Sequence, residues 1–250
     1  MSKDAVSRSY MEAMKAEHAG KPYKDMHRVA INGTGRDGSI GKAIVKKLWK
    51  SGKVNVVNEM YGDVRDDAVN FDPEIDILIM CHGAVHMDWL EDAPMQNVRN
   101  VIDVNLTGSI NLIQRFVRDT INAPHKKKII SIGSMAYRNV LNGSAAYCAS
   151  KAGLAHYIRC AAWELAPKGY DVYCIHPSNT EGAPMSEDTI QGLMRYRNLD
   201  REAAEAYWGA VLPRENWLQP DDIADVVKFL VEGNSAYLSG AQIDLGGGQR

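Results

Sequence analysis

Five short apolar runs recur along this chain, at Val29 to Ile31, Val54 to Val57, Ile75 to Met80, Ile129 to Ile132 and Val172 to Ile175. Between them lie longer segments of helical period, among them Ile40 to Trp49, Val98 to Asn122 and Ala145 to Ala166. Runs this short and this continuously apolar read as strands buried on both faces, and strands that alternate with helices are joined by crossovers, which makes them parallel. The pattern predicts an α/β fold with one doubly wound parallel sheet, helices on both faces, and a ligand site beyond the carboxyl ends of the strands where strand order reverses. A chain of 250 residues with no internal repeat and no low-complexity linker suits one such domain, here 25–250, preceded by an extension over 1–24. Within the extension, Tyr10 to Glu17 has the pattern of an amphipathic helix closed by Gly20 and Pro22.

Charge and cysteine usage exclude several functions. The 29 basic and 31 acidic residues are interspersed at a formal net charge of -2, so there is no electrostatic footprint for nucleic acid. The one basic run, Lys126-Lys127-Lys128, directly precedes an apolar strand and reads as its solvated entry. Cys81, Cys148, Cys160 and Cys174 lack metal-ligand spacing and sit among apolar residues, which predicts buried thiols in a reducing compartment and no metal. Met1 to Lys24 is charged and has no apolar stretch long enough for a signal peptide or membrane span, so the expectation is a cytoplasmic protein without a membrane partner.

The first strand runs directly into Asn32-Gly33-Thr34-Gly35-Arg36-Asp37-Gly38-Ser39-Ile40-Gly41 and then a helix. Glycines in that setting let the backbone turn tightly and approach a pyrophosphate, whose charge the helix N-terminus stabilises. The second strand ends in Asn58-Glu59, where an acidic residue would meet a ribose hydroxyl of a dinucleotide and repel a phosphate there. That favours NAD over NADP, with Arg36 as the competing influence. Further along, Tyr147 and Lys151 are four residues apart and share one helix face, preceded by Ser134. A nearby ammonium favours the phenolate, so the pair can turn a phenol that titrates near pH ~10 into a usable acid. Ser134 would hold a substrate oxygen against the same phenol. Alone, this spacing also occurs on ordinary amphipathic helices.

Taken together, these residues resemble the short-chain dehydrogenase/reductase family from about Arg28 to Gly248. The matching parts occur in the family's order: the Thr34 to Gly41 turn, Asp63-Val64, Ile77 to Gly83, Asn105, Ser134, Tyr147 with Lys151, His176-Pro177-Ser178, and the closing Ser239 to Gly247. Tyr147 follows Ser134 by thirteen residues, as is usual in that family. The resemblance implies a Rossmann fold and a hydride transfer between NAD, or NADP, and an alcohol or carbonyl carbon of a small molecule. It makes Tyr147 the acid/base, Lys151 the tuner of its pKa and holder of the nicotinamide ribose, Ser134 the polariser of the substrate oxygen, and Asn105 the anchor of a water-linked proton path. The cofactor would lie against Gly35, Asp37, Gly38, Ser39, Ile40, Gly41, Glu59, Asp63, Val64, His82, Gly83, Pro177 and Thr180, the last at the carboxamide. It also implies a homo-oligomer, dimer or tetramer, associating through Ile223 to Val231, Ile243 to Leu245 and the helix of Asn105.

Several departures from the family pattern are legible. The turn reads Gly35-x-x-Gly38-x-x-Gly41, the spacing of extended members, and places Ser39 where a glycine is usual. Only Met60-Tyr61-Gly62 separates Glu59 from Asp63-Val64, too few residues for a crossover. Either the second helix is lost, or the Asp63-Val64 match is fortuitous and the sheet is one strand short. Met80-Cys81-His82-Gly83 replaces the usual Asn-Asn-Ala-Gly, which predicts that side-chain hydrogen bonds to the fold are lost; His82 either contacts the cofactor or caps a strand end. His86 and His176 read as structural. The substrate-selecting segment, 181–212, carries Met185, Met194, Arg195, Tyr196, Arg197, Tyr207 and Trp208, enough to close an apolar lid; its two arginines either pair with a carboxylate or phosphate on the substrate or, the favoured reading, are exposed charges on an amphipathic helix. Rival functions are a cofactor-binding regulator without turnover and a nucleotide-sugar epimerase or dehydratase. Enoyl reduction is disfavoured, because that subgroup spaces Tyr and Lys seven apart and that position is Ser144.

Overall fold

Burial on both faces of a central sheet organises the chain. The computed structural model describes residues 26–60, 63–65, 70–210, 213–214 and 216–249, with Asn58 and Glu59 described in backbone only. The expected helix at Tyr10 to Glu17 lies outside these residues. The strands are β1 (His27–Asn32), β2 (Val54–Met60), β3 (Ile77–Met80), β4 (Lys127–Ile132), β5 (Tyr170–Pro177) and β6 (Gln242–Leu245). All pairings are parallel, in the order β2-β1-β3-β4-β5-β6. The chain therefore steps outward from β1 to β2 and returns to place β3 on the other side of β1, so the reversal of strand order falls between β1 and β3.

The helices are α1 (Ile40–Ser51), α2 (Met95–Ile102), α3 (Gly108–Thr120), α4 (Ala145–Leu165), α5 (Pro184–Arg197), α6 (Arg201–Gly209) and α7 (Pro220–Glu232). Successive strand residues point to opposite faces. Val29 and Ile31 pack with Ile44 and Leu48 of α1 and Ile223, Val227 and Leu230 of α7. Ala30, Leu78 and Ile129 pack with Leu112 and Phe116 of α3 and Leu154 and Ile158 of α4. A smaller cluster, Met87, Ile190, Leu193 and Ala204, holds α5 and α6 over the carboxyl end of the sheet.

Three expectations change. Among the described residues neither helix nor strand lies between β2 and β3, and the sheet ends at β2. The Asp63-Val64 match nevertheless has a place: Val64 packs so closely on Gly108 that a Cβ there would meet Val64 Cγ2 at 2.5 Å. The lysine run is not solvated as a whole. Lys127 is buried and donates to the carbonyls of Pro73 and Ile75, while Lys128 donates to those of Leu230, Val231 and Gly233. An ammonium with three donors satisfies carbonyls left open at the end of α7, where the helix dipole also favours a cation. Among the thiols, Cys174 is buried but Cys160 is exposed and Cys81 and Cys148 are half-buried. Cys160 lies on the outer face of α4, whose inner face is taken by Ile158, Ala161 and Ala162.

Candidate active site

A cleft of about 440 Å³ opens at the carboxyl end of the sheet, between the turn after β1, the loops after β3, β4 and β5, and α5 and α6. Ser39, the residue that departs from the family pattern, caps α1: its hydroxyl accepts from the Lys42 N–H at 3.3 Å. The helix has no acidic residue in its first turn, leaving its N-terminus suited to a phosphate. Gly33, at φ 72°, lies against the Cys81 carbonyl, and a Cβ would approach it to 2.6 Å. A Cβ on Gly35 would meet nothing within 4 Å, so backbone there faces open cleft. These glycines leave a cradle of the kind a dinucleotide pyrophosphate fills, which fits the family's cofactor.

Ser134, Tyr147 and Lys151 converge in this cleft. Tyr147 and Lys151 lie on the inner face of α4 with Ser150 and Leu154. The Lys151 ammonium donates to the Ile132 carbonyl at 3.3 Å and lies 5.7 Å from the Tyr147 ring centroid. Burial lowers the Lys151 pKa to about 8, with Cys174 and Cys81 acting in the opposite sense. Burial also pushes the Tyr147 phenol up to about 12, against a hydrogen bond from Ser134. The expected lowering of that pKa by Lys151 is absent in this arrangement, because the ammonium sits over the ring and desolvation dominates. The phenol instead points at the Met185 sulfur, 3.6 Å away.

Behind these groups lies a hydrogen-bonded frame. Asn105 sits in a π-helical segment, Asp103–Thr107, that joins α2 to α3. Its Oδ1 accepts from the Ala84 N–H at 2.8 Å, and its Nδ2 donates to the Ala84 carbonyl at 2.9 Å and Ser150 Oγ at 3.0 Å. Ser109 donates to the Asn105 carbonyl at 2.8 Å, so its Oγ receives the proton of His82 Nε2 at 3.0 Å. His82 Nδ1 then accepts from Asn32 Nδ2 at 2.8 Å, while Asn32 Oδ1 accepts from the Cys81 and His82 amides. The expected loss of side-chain hydrogen bonds at Met80-Cys81-His82-Gly83 is thus corrected: an imidazole reaches two partners on opposite sides and restores them. Burial and the nearby Lys151 charge lower the His82 pKa to about 3, so the ring is neutral. His176 plays a similar part under Ser134. Its Nδ1 accepts from the Ser134 N–H at 3.2 Å, its Nε2 donates to Gln242 at 2.8 Å, and its ring stacks on Tyr137.

Of the residues singled out in the sequence, Gly35, Ser39, Ile40, Asp63, Val64, His82, Gly83, Ser134, Tyr147, Lys151, Pro177 and Thr180 line the cleft. Gly38 and Gly41 shape the turn: Gly38 has φ 72°, and a Cβ on Gly41 would lie 2.6 Å from the Gly33 carbonyl. Asp37 does not join them; its side chain is exposed and paired with Lys42. The Asp63 carboxyl is engaged by Arg65, whose hydrogen bonds hold its pKa at about 2. Glu59, the last residue but one of β2, pairs with Ile31 of β1, and only its backbone is described. Thr180 donates to the Ser178 carbonyl at 3.1 Å. Arg195 and Arg197 are on the lid and outside the cleft lining; Arg195 is exposed as expected, whereas Arg197 is half-buried among aromatic rings. Arg195 donates to the Met87 carbonyl at 2.9 Å, and Arg197 lies over Trp89, Tyr196 and Tyr207. The residues that sequence reasoning missed are Asn32 and Ser109, whose partners are remote in sequence, and Asp188, whose 2.7 Å ion pair with Arg36 joins the glycine turn to α5 across the cleft mouth. A metal-ligand cluster of His, Cys, Asp or Glu is absent among the described residues.

The chain belongs to the short-chain dehydrogenase/reductase family, a family of NAD(P)-dependent oxidoreductases: a family model described as "Enoyl-(Acyl carrier protein) reductase" matches residues 57–250. Among individual proteins it is similar to the vibriobactin-specific 2,3-dihydro-2,3-dihydroxybenzoate dehydrogenase of Vibrio cholerae, with 28% identity over 69% of this chain and 65% of that protein. The chain thus spans just under two thirds of that relative. It is also similar to the 3-oxoacyl-[acyl-carrier-protein] reductase FabG of Rickettsia bellii, with 28% identity over 86% of this chain and 94% of that protein. Among solved structures, NAD+-bound xylitol dehydrogenase superposes with a TM-score of 0.77 at 20% identity, covering 90% of this chain and 100% of that one. At that identity the likeness speaks for the fold.

Proposed function

We propose that this protein transfers hydride between NAD(H) and the carbonyl or secondary alcohol carbon of a small molecule, with Tyr147 moving the proton. The observation that carries the reading is the convergence of Ser134, Tyr147 and Lys151 in the cleft that the glycine turn also lines. A bound nicotinamide supplies or accepts the hydride at carbon. On the protein side, Ser134 and Tyr147 hold the substrate oxygen, and the phenol releases its proton to that oxygen as carbonyl becomes alcohol, or takes it back in the reverse sense. A phenol held near 12 is fully protonated at neutral pH, which suits carbonyl reduction. The Lys151 ammonium, still largely charged at pH 7, is placed to hold a ribose hydroxyl of the cofactor. Asn105 fixes the π-segment and, through Ser150, the turn of α4 that carries Tyr147.

Preference for NAD over NADP follows from Glu59 at the end of β2, and Arg36, the competing cation, is already bound to Asp188. A fluorescence titration with NADH and NADPH tests this; tighter binding of NADPH contradicts it. Steady-state reduction of a carbonyl panel with both cofactors tests the activity, and cofactor binding with no turnover supports the regulator instead.

Association into a homo-oligomer is part of the same reading. The apolar side chains Ile223, Val227, Leu230 and Val231 of α7 face the protein's own core, so its outer face offers Phe229, close in sequence to the exposed Tyr237. Edge strand β6 and exposed Trp163 on α4 are further candidate contacts. Light scattering that shows a monomer at micromolar concentration refutes association. Among the described residues, no helix is long and apolar enough to cross a membrane.

A further inference from the structure

We infer that Arg36 is a ligand for the cofactor's pyrophosphate held in reserve by Asp188, and that its transfer from carboxylate to phosphate releases α5 and withdraws Met185 from Tyr147. This rests on the dinucleotide-binding reading above and adds to it a side chain that contacts the cofactor and a movement of the lid.

The glycine turn and the lid meet at two places. The Arg36 guanidinium donates to both carboxylate oxygens of Asp188, at 2.7 and 3.1 Å, and to the Pro184 carbonyl at 3.4 Å. Close by, Gly38 lies so near the lid that a Cβ there would come within 2.8 Å of the Gly182 carbonyl. Arg36 and Asp188 line the same cleft as Gly33, Gly35 and Ser39, which form the phosphate cradle. A cation and an anion thus stand beside one phosphate position, and their effects on it are opposite. The pair is a weak tie, because its side chains are 60% and 46% exposed. A pyrophosphate presents the same planar guanidinium with a pair of acceptor oxygens and two charges instead of one. Arg36 therefore gains by the exchange, and Asp188, left beside a second anion, is repelled.

The first turns of α5 carry the consequence to the catalytic groups. Met185 precedes Asp188 by three residues, so the two share a helix face. Its sulfur lies 3.6 Å from the Tyr147 hydroxyl. A Cβ built on Gly83 would stand 2.8 Å from Met185 Cε and 3.8 Å from Lys151 Nζ, so the methyl covers Gly83 beside that ammonium. The Tyr147 hydroxyl cannot hold a substrate oxygen while a thioether fills that place. With Arg36 on Asp188 the lid blocks the site, and with Arg36 on phosphate the start of α5 loses this tie to the turn. The far end of the helix stays anchored by Arg195 on the Met87 carbonyl, which confines the movement to its first turns.

The test titrates NADH and ADP-ribose, which keeps the pyrophosphate and lacks the nicotinamide, calorimetrically into the wild type, Arg36→Ala and Asp188→Ala. Arg36→Ala should weaken both ligands by about tenfold, the scale of a hydrogen bond to a charged group, and Asp188→Ala should tighten both by about threefold, the scale of an exposed ion pair. A pair that merely ties the lid to the turn gives shifts of one sign in the two variants, and such shifts, or none, overturn the inference while leaving the dinucleotide reading intact. Wild-type protein that binds neither ligand contradicts that reading and the inference with it. Carbon-13 labelling of the methionine methyl groups reads the lid by NMR. The Met185 signal, assigned by its loss in Met185→Leu, should move in both alanine variants before ligand is added, and should move in the wild type on adding ADP-ribose. A signal that stays in place in either case overturns the inference. The wild-type spectra decide the lid movement even where a variant fails to fold.

Discussion

The floor and the lid of the cleft are built on different principles. On the floor, Asn32, His82, Ser109 and Asn105 form one chain of hydrogen bonds, and His176 holds the backbone of Ser134 in the same manner. Each of these groups arises at the end of a strand or on a helix packed against the sheet. The lid formed by α5 and α6 is held by Met87 and its apolar neighbours, by Arg195 on the Met87 carbonyl, and by the Arg36–Asp188 pair. Proton transfer needs geometry within a few tenths of an ångström, which a closed polar network on rigid elements supplies. Substrate choice tolerates adjustment, and a thioether-rich surface allows it. The difference teaches that changes on the floor should alter turnover and stability, whereas changes on the lid should alter substrate affinity.

The largest expected effect tests the floor. Tyr147→Phe removes one oxygen and keeps the ring, so turnover should fall by ~10²-fold or more while NADH affinity stays within about twofold. Lys151→Met should weaken NADH binding as well as turnover, which separates the two roles. Steady-state rates beside NADH fluorescence titrations check both, and a Tyr147→Phe variant with a near-native rate leaves the Tyr–Lys pair as an ordinary helix contact.

A second prediction concerns stability. His82 titrates near 3 in the folded protein, against an ordinary value of 6.5, because burial, and to a lesser degree Lys151, disfavour its charged form. Between those values the unfolded chain binds a proton that the folded protein excludes, so this group lowers stability as pH falls from about 6.5 toward about 3. Urea midpoints measured across that window should be flatter in His82→Asn than in the wild type, although the variant starts from lower stability at pH 7. Parallel curves would show that His82 does not stay neutral.

On the lid, the Arg36–Asp188 pair is exposed on both sides, and such pairs contribute about 1 kcal/mol or less. Arg36→Ala or Asp188→Ala should therefore raise substrate KM by about fivefold at most, with kcat little changed and the double variant no worse than either single. A large fall in kcat would mean that the lid also sets the catalytic geometry. The smallest effect is expected of Glu59→Ala, which should narrow the gap between NADH and NADPH by a few-fold, as read by titration.

The fold was legible because the apolar runs are short, continuous and separated by helical periods, and parallel order follows from the crossovers. The Ser134, Tyr147 and Lys151 constellation was legible because two of its members are four residues apart on one helix face and the third precedes them by thirteen residues. The supporting frame was not, since Asn32, His82 and Ser109 meet from three separate segments and nothing local marks an asparagine or serine as the partner of an imidazole. The lysine run misled for a related reason. Carbonyls at the end of α7 and near β3 wait for Lys127 and Lys128, and those carbonyls have no sequence signature. Tyr147's pKa could not be read from Tyr–Lys spacing, because burial outweighs a charge that lies over the ring.

The central claim is that hydride leaves the cofactor and arrives on substrate carbon. NADH deuterated at the transferring position, incubated with any carbonyl compound that the protein reduces or that quenches bound NADH fluorescence, tests it directly by mass spectrometry of the products. The account predicts one deuterium on the carbinol carbon and none left at that position of the oxidised cofactor. Deuterium that remains on the cofactor while it binds tightly, or that leaves and returns as in an epimerase, would contradict it.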